Sequence, residues 1–166
     1  GDRVGIYYLE TGASQRASKV IYDRAGAAVT TLKPEELDFD RMFDGAKWFH
    51  WTGITPALGK SAQDCITAAC KAAKAAGATI SADLNYRAKL WTEKEAQAVM
   101  RPLMEYVDVC IANEEDLEKS LGFHAGSTNV DAAELDTAAY KEMAIEVKNE
   151  FGFQAVAITL RESYSA

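Results

Sequence analysis

From Lys47 onward, short apolar runs alternate with segments of helical periodicity, and this alternation constrains the fold more than any other feature of the chain. Lys47-Trp48-Phe49-His50-Trp51 reads as a strand closed by Thr52-Gly53. The segment from Lys60 to Ala76 then sets Ala62, Cys65, Ile66, Ala69, Ala73 and Ala76 on one helical face, with Lys60, Gln63, Asp64, Thr67, Lys71 and Lys74 opposite. Gly77 supplies its stop. A stripe of such small side chains lets a helix lie close against a sheet.

The unit recurs. Ala78 to Ala82 reads as a strand, Thr92 and Glu95 form a capping box at the start of a helix, and Val107 to Ala112 reads as the next strand. Pro102 is expected to kink or end the middle helix. A short helix is expected from Asn113 to Gly122. A longer one, from about Asp136 to Phe151, would bury Tyr140, Met143, Ala144, Val147 and Phe151, and Gln154 to Leu160 is the last strand. Strands separated by helices pair in parallel through right-handed crossovers, which predicts a doubly wound, mostly parallel α/β sheet.

The first thirty residues follow a different rule. Val4 to Leu9 and Lys19 to Arg24 are β-type runs joined by a Gly/Ser/Ala-rich turn, and a short helix opens at Pro34. Two strands alone are marginally stable, so this hairpin is expected to lean on the body or on another chain. The division is a hairpin segment over residues 1–31 and a partial α/β domain over 32–166.

The 166 residues carry 18 Lys and Arg against 25 Asp and Glu, a net charge of −7, which opposes a nucleic-acid or anionic-membrane surface as the main partner. Any anion the chain binds must be met locally. The three cysteines form no CxxC and have no histidine pair nearby, so neither a zinc site nor a disulfide framework is indicated, and a cytoplasmic setting is expected. No run approaches the ~20 apolar residues of a membrane span, and the start lacks the apolar core of a signal peptide. Position 1 is not Met, and the chain is read as an excerpt.

Ligands of open α/β sheets bind beyond the carboxyl ends of the strands. Four exits therefore matter: Thr52 to Pro56, Asp83 to Arg87, Asn113 to Asp116, and Thr159 to Ser163. Asp83, Asn85 and Arg87 alternate, so a continued strand would point all three to one side and form a site for an anionic, hydroxylated ligand. Spacing alone slightly favours the other reading, in which Asp83 and Asn85 make turn hydrogen bonds and Arg87 is solvated. Asn113 reads first as an N-cap with Asp116 at the third helical position. On the hairpin, Tyr7, Tyr22 and Arg24 either close over a sugar acid or face solvent. His50 and His124 lack partners at metal spacing and are expected to be structural, as are Cys65 and Cys70. Trp48, Trp51 and Trp91 are expected in the core. There is no GxxxxGK[ST], GxGxxG or GxSxG.

In order along the chain stand Arg3 to Glu10, Val20 to Ala25, Trp51-Thr52-Gly53-Ile54-Thr55-Pro56-Ala57-Leu58, and Asp83-Leu84-Asn85-Tyr86-Arg87 with Leu90-Trp91. This set resembles the ribokinase (PfkB) family of sugar kinases, in particular its members that act on 2-keto-3-deoxygluconate. The resemblance implies a ribokinase-like fold with the hairpin as a lid over the sugar. It implies that Tyr7, Tyr22, Arg24, Asn85 and Arg87 contact the substrate, two guanidiniums suiting a carboxylate. It also implies that Asn113 and Thr159 face the nucleotide and that Asp116 stands at the magnesium position, with ATP and Mg as the co-substrate and ion. The family's glutamate is Asp116 here, and its glycine after Thr159 is Arg161.

The Gly-Ala-Gly-Asp segment that supplies an anion hole and the catalytic base does not occur in these residues. The implied reaction is transfer of the ATP γ-phosphoryl group to 2-keto-3-deoxygluconate, with no catalytic residue carried by this chain and no turnover expected from it alone. A non-catalytic sugar-acid-binding or interaction module of the same fold is the alternative. A homodimer through the hairpin is expected from its open strand edges.

Overall fold

A computed structural model of the chain describes residues 3–124 and 137–160. Arg161, the rest of the fourth strand exit and the expected helix start at Asp136 lie outside the described residues. The hairpin is β1 (Ile6–Glu10) and β2 (Lys19–Asp23), paired antiparallel as a separate two-stranded sheet. Short 3-10 turns at Ala28–Thr30 and Pro34–Glu36 and the five-residue helix α1 (Phe39–Phe43) lead into the body.

The body continues as β3 (Trp48–Thr52), α2 (Lys60–Ala75), β4 (Thr79–Asp83), α3 (Glu93–Met104), β5 (Val109–Ala112), α4 (Glu114–Leu121), α5 (Thr137–Phe151) and β6 (Ala155–Ile158). The four body strands form one parallel sheet in the order β3-β4-β5-β6. The α/β architecture with a separate hairpin agrees with the expectation from sequence. No described helix is long and apolar enough to cross a membrane.

Local chemistry sets the boundaries. The Thr92 hydroxyl accepts from the Glu95 amide while the Glu95 carboxylate accepts from the Thr92 amide, which closes the start of α3. Pro102 does not end α3, which runs to Met104. Helix α2 stops at Gly77, whose φ of +74° suits a residue without a Cβ. Its buried stripe is Ala62, Cys65, Ile66, Ala69, Cys70 and Ala73, whereas Ala76 falls at the exposed C-cap.

The core lies on one face of the sheet. Phe49, Trp51, Ile80, Ala82, Cys110, Ala112, Val156 and Ile158 share that face by register and pack with Leu103, Met104, Leu117, Leu121 and Val147 from the helices. The opposite face carries Trp48, His50, Thr79, Ser81, Ala155 and Ala157, and none of these belongs to the core cluster. Trp48, expected in the core, is 58% exposed because its strand position faces away from the helices. Its indole N–H donates to the Ser81 hydroxyl at 2.8 Å, and His50 Nδ1 meets the same hydroxyl at 2.8 Å. Trp51 and Trp91 are buried as expected.

At the amino ends of the strands Asp108 gathers the body. Its carboxylate accepts from Lys74 at the end of α2, from the Ile80 amide of β4 and from the Gln154 side chain before β6. Burial pushes its pKa up, but these hydrogen bonds and the Lys74 charge more than offset that and hold it below the usual carboxylate value.

Candidate functional site

The carboxyl ends of β3 and β4 are fastened before any ligand is considered. The Gly53 amide donates to the Asp83 carbonyl at 2.8 Å, and a Cβ on Gly53 would sit 2.0 Å from the Leu84 carbonyl oxygen. Only glycine permits that approach. One residue further, Asn85 adopts a left-handed φ of +42°, which ends the alternation of Asp83, Asn85 and Arg87 expected for a continued strand. Its Nδ2 donates to the Thr52 hydroxyl at 3.2 Å, so Asn85 ties the second exit to the first.

The next turn is tied to the third exit. The Tyr86 amide donates to Asp116 Oδ1 at 2.8 Å, and the Tyr86 hydroxyl donates to the Trp91 carbonyl at 3.2 Å. Asp116 Oδ2 accepts from the Asn113 amide at 3.3 Å, while Asn113 Oδ1 accepts from the Asp116 amide at 2.7 Å. The Asn-x-x-Asp segment is therefore a capping box at the start of α4, as its spacing suggested, and it also braces the 84–91 loop. Burial pushes Asp116 above the usual carboxylate range. The Tyr86 and Asn113 amides oppose that shift, Asp83 adds to it, and Arg87 opposes it.

Against this braced loop stands the hairpin. A cavity of about 740 Å³ lies between them, lined on the hairpin side by Lys19, Val20, Ile21, Tyr22, Arg24 and Ala25. Its other wall is Ile54, Arg87, Ala88, Lys89 and Leu90. Arg24 lies 4.2 Å from the centroid of the Tyr22 ring, a cation–π contact that fixes the guanidinium. Arg87 donates to its neighbour Tyr86's carbonyl at 2.9 Å, leaving further donors unused.

Of the five residues expected at the sugar, Tyr22, Arg24 and Arg87 are brought together in this cavity. Tyr7 lies opposite Tyr22, with ring centroids 6.2 Å apart, and lines a neighbouring hollow with Tyr22 and Arg24. Asn85 holds the wall rather than forming it. Lys19 and Lys89 also line the cavity and had no signal in the sequence, whereas Thr52 and Gly53 lie in the first strand exit already singled out.

At the fourth exit, the Thr159 amide donates to the Ala112 carbonyl at 2.9 Å, which sets Thr159 beside the Asn113 exit. Among the described residues no group of three or more His, Cys, Asp or Glu is placed to hold a metal ion. A magnesium ion takes one or two carboxylates and completes its shell with water and phosphate oxygens; Asp116, the carboxylate expected there, is buried, and its two oxygens accept from the Tyr86 and Asn113 amides. Burial pushes the thiols of Cys70 and Cys110 up to about 12, Lys74 opposing it at Cys70 and Asp83 and Asp116 adding to it at Cys110. Neither is a thiolate nucleophile at neutral pH. His124 pairs with Glu118 at 3.2 Å on the exposed surface.

Residues 1–160 match the model of the pfkB family of carbohydrate kinases. A 2-dehydro-3-deoxygalactonokinase from Haloferax volcanii is 39% identical over 160 residues, which is 96% of this chain and 46% of the relative. Fructokinase-2 from Solanum lycopersicum is 30% identical over 135 residues, covering 79% of this chain and 38% of that protein. The crystal structure of a 2-dehydro-3-deoxygluconokinase from Thermotoga maritima superimposes with a TM-score of 0.87 at 53% identity, covering 99% of this chain and 48% of that one. The chain spans about half the length of these two kinases of deoxy sugar acids. With the match running over nearly all its length, the chain belongs to the pfkB family of carbohydrate kinases.

Proposed function

We propose that this chain is the sugar-acid-binding portion of a cytoplasmic kinase that transfers the ATP γ-phosphoryl group to the terminal hydroxyl of 2-keto-3-deoxygluconate. The observation that carries the reading is the convergence of Arg24 and Arg87 on one cavity from opposite walls. A guanidinium presents a planar fork that matches a carboxylate, and two of them orient it. The braced 84–91 loop keeps Arg87 at a fixed place, and Tyr22 does the same for Arg24, so little ordering remains to be done when the ligand enters. The buried free thiols of Cys65, Cys70 and Cys110 suit a reducing compartment.

In this reading Asn113 and Thr159 face the nucleotide, and Asp116 orients the Asn113 exit and faces magnesium. The ion would neutralise charge on the phosphates when bound. Phosphoryl transfer depends mainly on positioning and charge stabilisation, and it also needs a base and amide donors aimed at the transferring group. The 166 residues hold no Gly-Ala-Gly-Asp segment to supply them. The chain alone therefore binds the sugar acid and does not phosphorylate it. The hairpin, with apolar side chains on both faces, pairs with a second copy to form a homodimer.

Titration of the chain with 2-keto-3-deoxygluconate, together with an assay containing ATP and magnesium, tests both halves. Arg87→Ala and Arg24→Ala should each weaken binding at least tenfold, on the ~1.5–3 kcal/mol scale of a charge-assisted hydrogen bond. Unchanged binding in both variants would refute the carboxylate clamp. Turnover near the ~1–100 s⁻¹ of kinases would show that the chain carries a base we have not assigned.

A further inference from the structure

We propose that Lys19 and Lys89 form a cationic rim that steers an anionic sugar ligand to Arg24 and Arg87, and so favours acids over neutral sugars by association rate. The inference rests on the reading of this cavity as the sugar-acid site.

The argument begins with the charge of the whole chain, −7, which repels an anion at long range. An entrance for an anionic ligand needs a local reversal of that field. The described lining of the cavity supplies one: four cations, Lys19, Arg24, Arg87 and Lys89, and no carboxylate. Such clustering in a low-dielectric cleft focuses the potential at its mouth.

The hairpin's own acids leave this charge unspent. Glu10 is the register partner of Lys19 across the hairpin, yet its carboxylate is taken by Arg16. Asp23, the other acid of β2, is taken by Arg3. Lys19 and Lys89 themselves make no ion pair and no side-chain hydrogen bond among the described residues. Both acids of the hairpin strands are thus neutralised by arginines outside the cavity.

The four cations divide by what surrounds them. Arg24 is half-buried and stacked on Tyr22, and Arg87 is tethered to the Tyr86 carbonyl, which suits directional contact with a carboxylate. Lys19 and Lys89 are exposed and untethered, one on each wall. A lysine there acts as a point charge rather than as a fork. Exposed charges act through solvent over about 8 Å at physiological ionic strength and about 3 Å at 1 M, so the rim should work through encounter and fail in high salt.

The test is stopped-flow binding of 2-keto-3-deoxygluconate, with fructose as the neutral probe, to the chain and to its Lys19→Gln/Lys89→Gln double variant. At low salt the double variant should associate with the sugar acid roughly tenfold more slowly, with an unchanged dissociation rate. Near 1 M salt the two proteins should agree, and fructose should not distinguish them. Lys19→Arg/Lys89→Arg should restore the rate, because steering needs the charge and not the head group. An unchanged association rate, a loss that persists in high salt, or a loss confined to dissociation overturns the steering proposal. If the lysine variants behave so while Arg24→Ala and Arg87→Ala still abolish binding, the clamp stands without the rim. If the arginine variants bind normally, or the unaltered chain binds no sugar acid, the site reading itself falls and takes the rim with it.

Discussion

The hairpin and the sheet body are both built from strands of four or five residues, yet all ten strand residues of the hairpin are exposed while one face of every body strand packs on the core, buried or half-buried. Ile6, Tyr8 and Ile21 occupy one hairpin face, and Tyr7, Leu9, Val20 and Tyr22 the other. Apolar side chains on both faces of a ribbon cannot be satisfied by one neighbour. The body spends its apolar residues on its own stability, whereas the hairpin leaves its own exposed on both faces, as the proposed ligand contact and homodimer require. On the proposed reading the body supplies the fold's stability and one wall of the cavity, and the hairpin supplies the other wall without adding to the core.

Matched truncations on β4 and β2 should break the two regions apart most clearly. Ile80 is fully buried in the core cluster, so Ile80→Ala should cost roughly 2–5 kcal/mol in denaturant unfolding. Ile21 is 53% exposed, and Ile21→Ala should change the unfolding midpoint of the monomer by no more than about 0.5 kcal/mol. Ile21→Lys should instead shift the protein toward monomer in sedimentation. Equal losses at both positions would mean that the hairpin belongs to the same cooperative unit as the sheet.

A subtler version compares two glycines. A Cβ on Gly53 would meet the Leu84 carbonyl oxygen at 2.0 Å, and one on Gly12 would meet the Arg16 carbonyl oxygen at 2.3 Å. The clashes are alike and the settings differ. Gly53→Ala must push apart the β3 and β4 exits, with an expected cost of about 1–3 kcal/mol and weaker sugar-acid binding as the Arg87 loop shifts. Gly12→Ala deforms an exposed turn, so calorimetry should register only a small change in the body's transition.

The body was the more legible region because its signals are local. The strand cores at Trp48 to Trp51, Thr79 to Ala82 and Val109 to Ala112 were marked by apolar runs, and the Thr92 capping box is a four-residue pattern. What could not be read depends on residues far apart in sequence. Whether Trp48 is inside follows from which sheet face the helices choose, and a strand's own alternation is the same either way. The left-handed turn at Asn85 and the Tyr86 to Asp116 bond, across thirty positions, broke the simple alternation that would have aimed Asp83, Asn85 and Arg87 together. In the hairpin the pairing was legible, but the ion pairs that leave Lys19 free were not.

Two carboxylates at opposite ends of the sheet should titrate in opposite directions. Asp108 is held below its unfolded value of about 3.9, so it stabilises the native state above that pH, and the contribution is lost as pH falls through the lower native value. Asp116 is held above its unfolded value, so the native state takes up its proton first. Its ionised form therefore costs stability above the raised native value, and that cost is relieved as pH falls toward about 4. NMR titration should place Asp116 above and Asp108 below the ordinary carboxylate value. Asp108→Asn should flatten the acid limb of the stability curve below about pH 4. An acid limb as steep as that of the parent would remove Asp108 from this account.

The smallest expected effect lies where the two regions meet. Arg3 donates through Nε to the Ala25 carbonyl at 3.1 Å and through Nη1 to Asp23 at 3.1 Å, and its own carbonyl accepts from the Ala28 amide at 2.8 Å. These contacts latch the base of the hairpin to the turn that leads into the body. The Arg3 side chain is 35% exposed and that of Asp23 48%, so water and salt screen the pair, and exposed ion pairs contribute only about 0.2–1 kcal/mol. Arg3→Ala leaves the backbone bond to Ala28 in place, so the hairpin should stay attached while its base opens more often. Hydrogen exchange should therefore quicken at β1 and β2 amides by about 1.4-fold to fivefold, which is the same energy expressed as a ratio. Exchange at Ile80 and Cys110, in the centre of the sheet, should not change. If those core amides quicken in step with the hairpin, the latch is part of the body's stability and the division between a region that folds and a region that recognises is drawn in the wrong place.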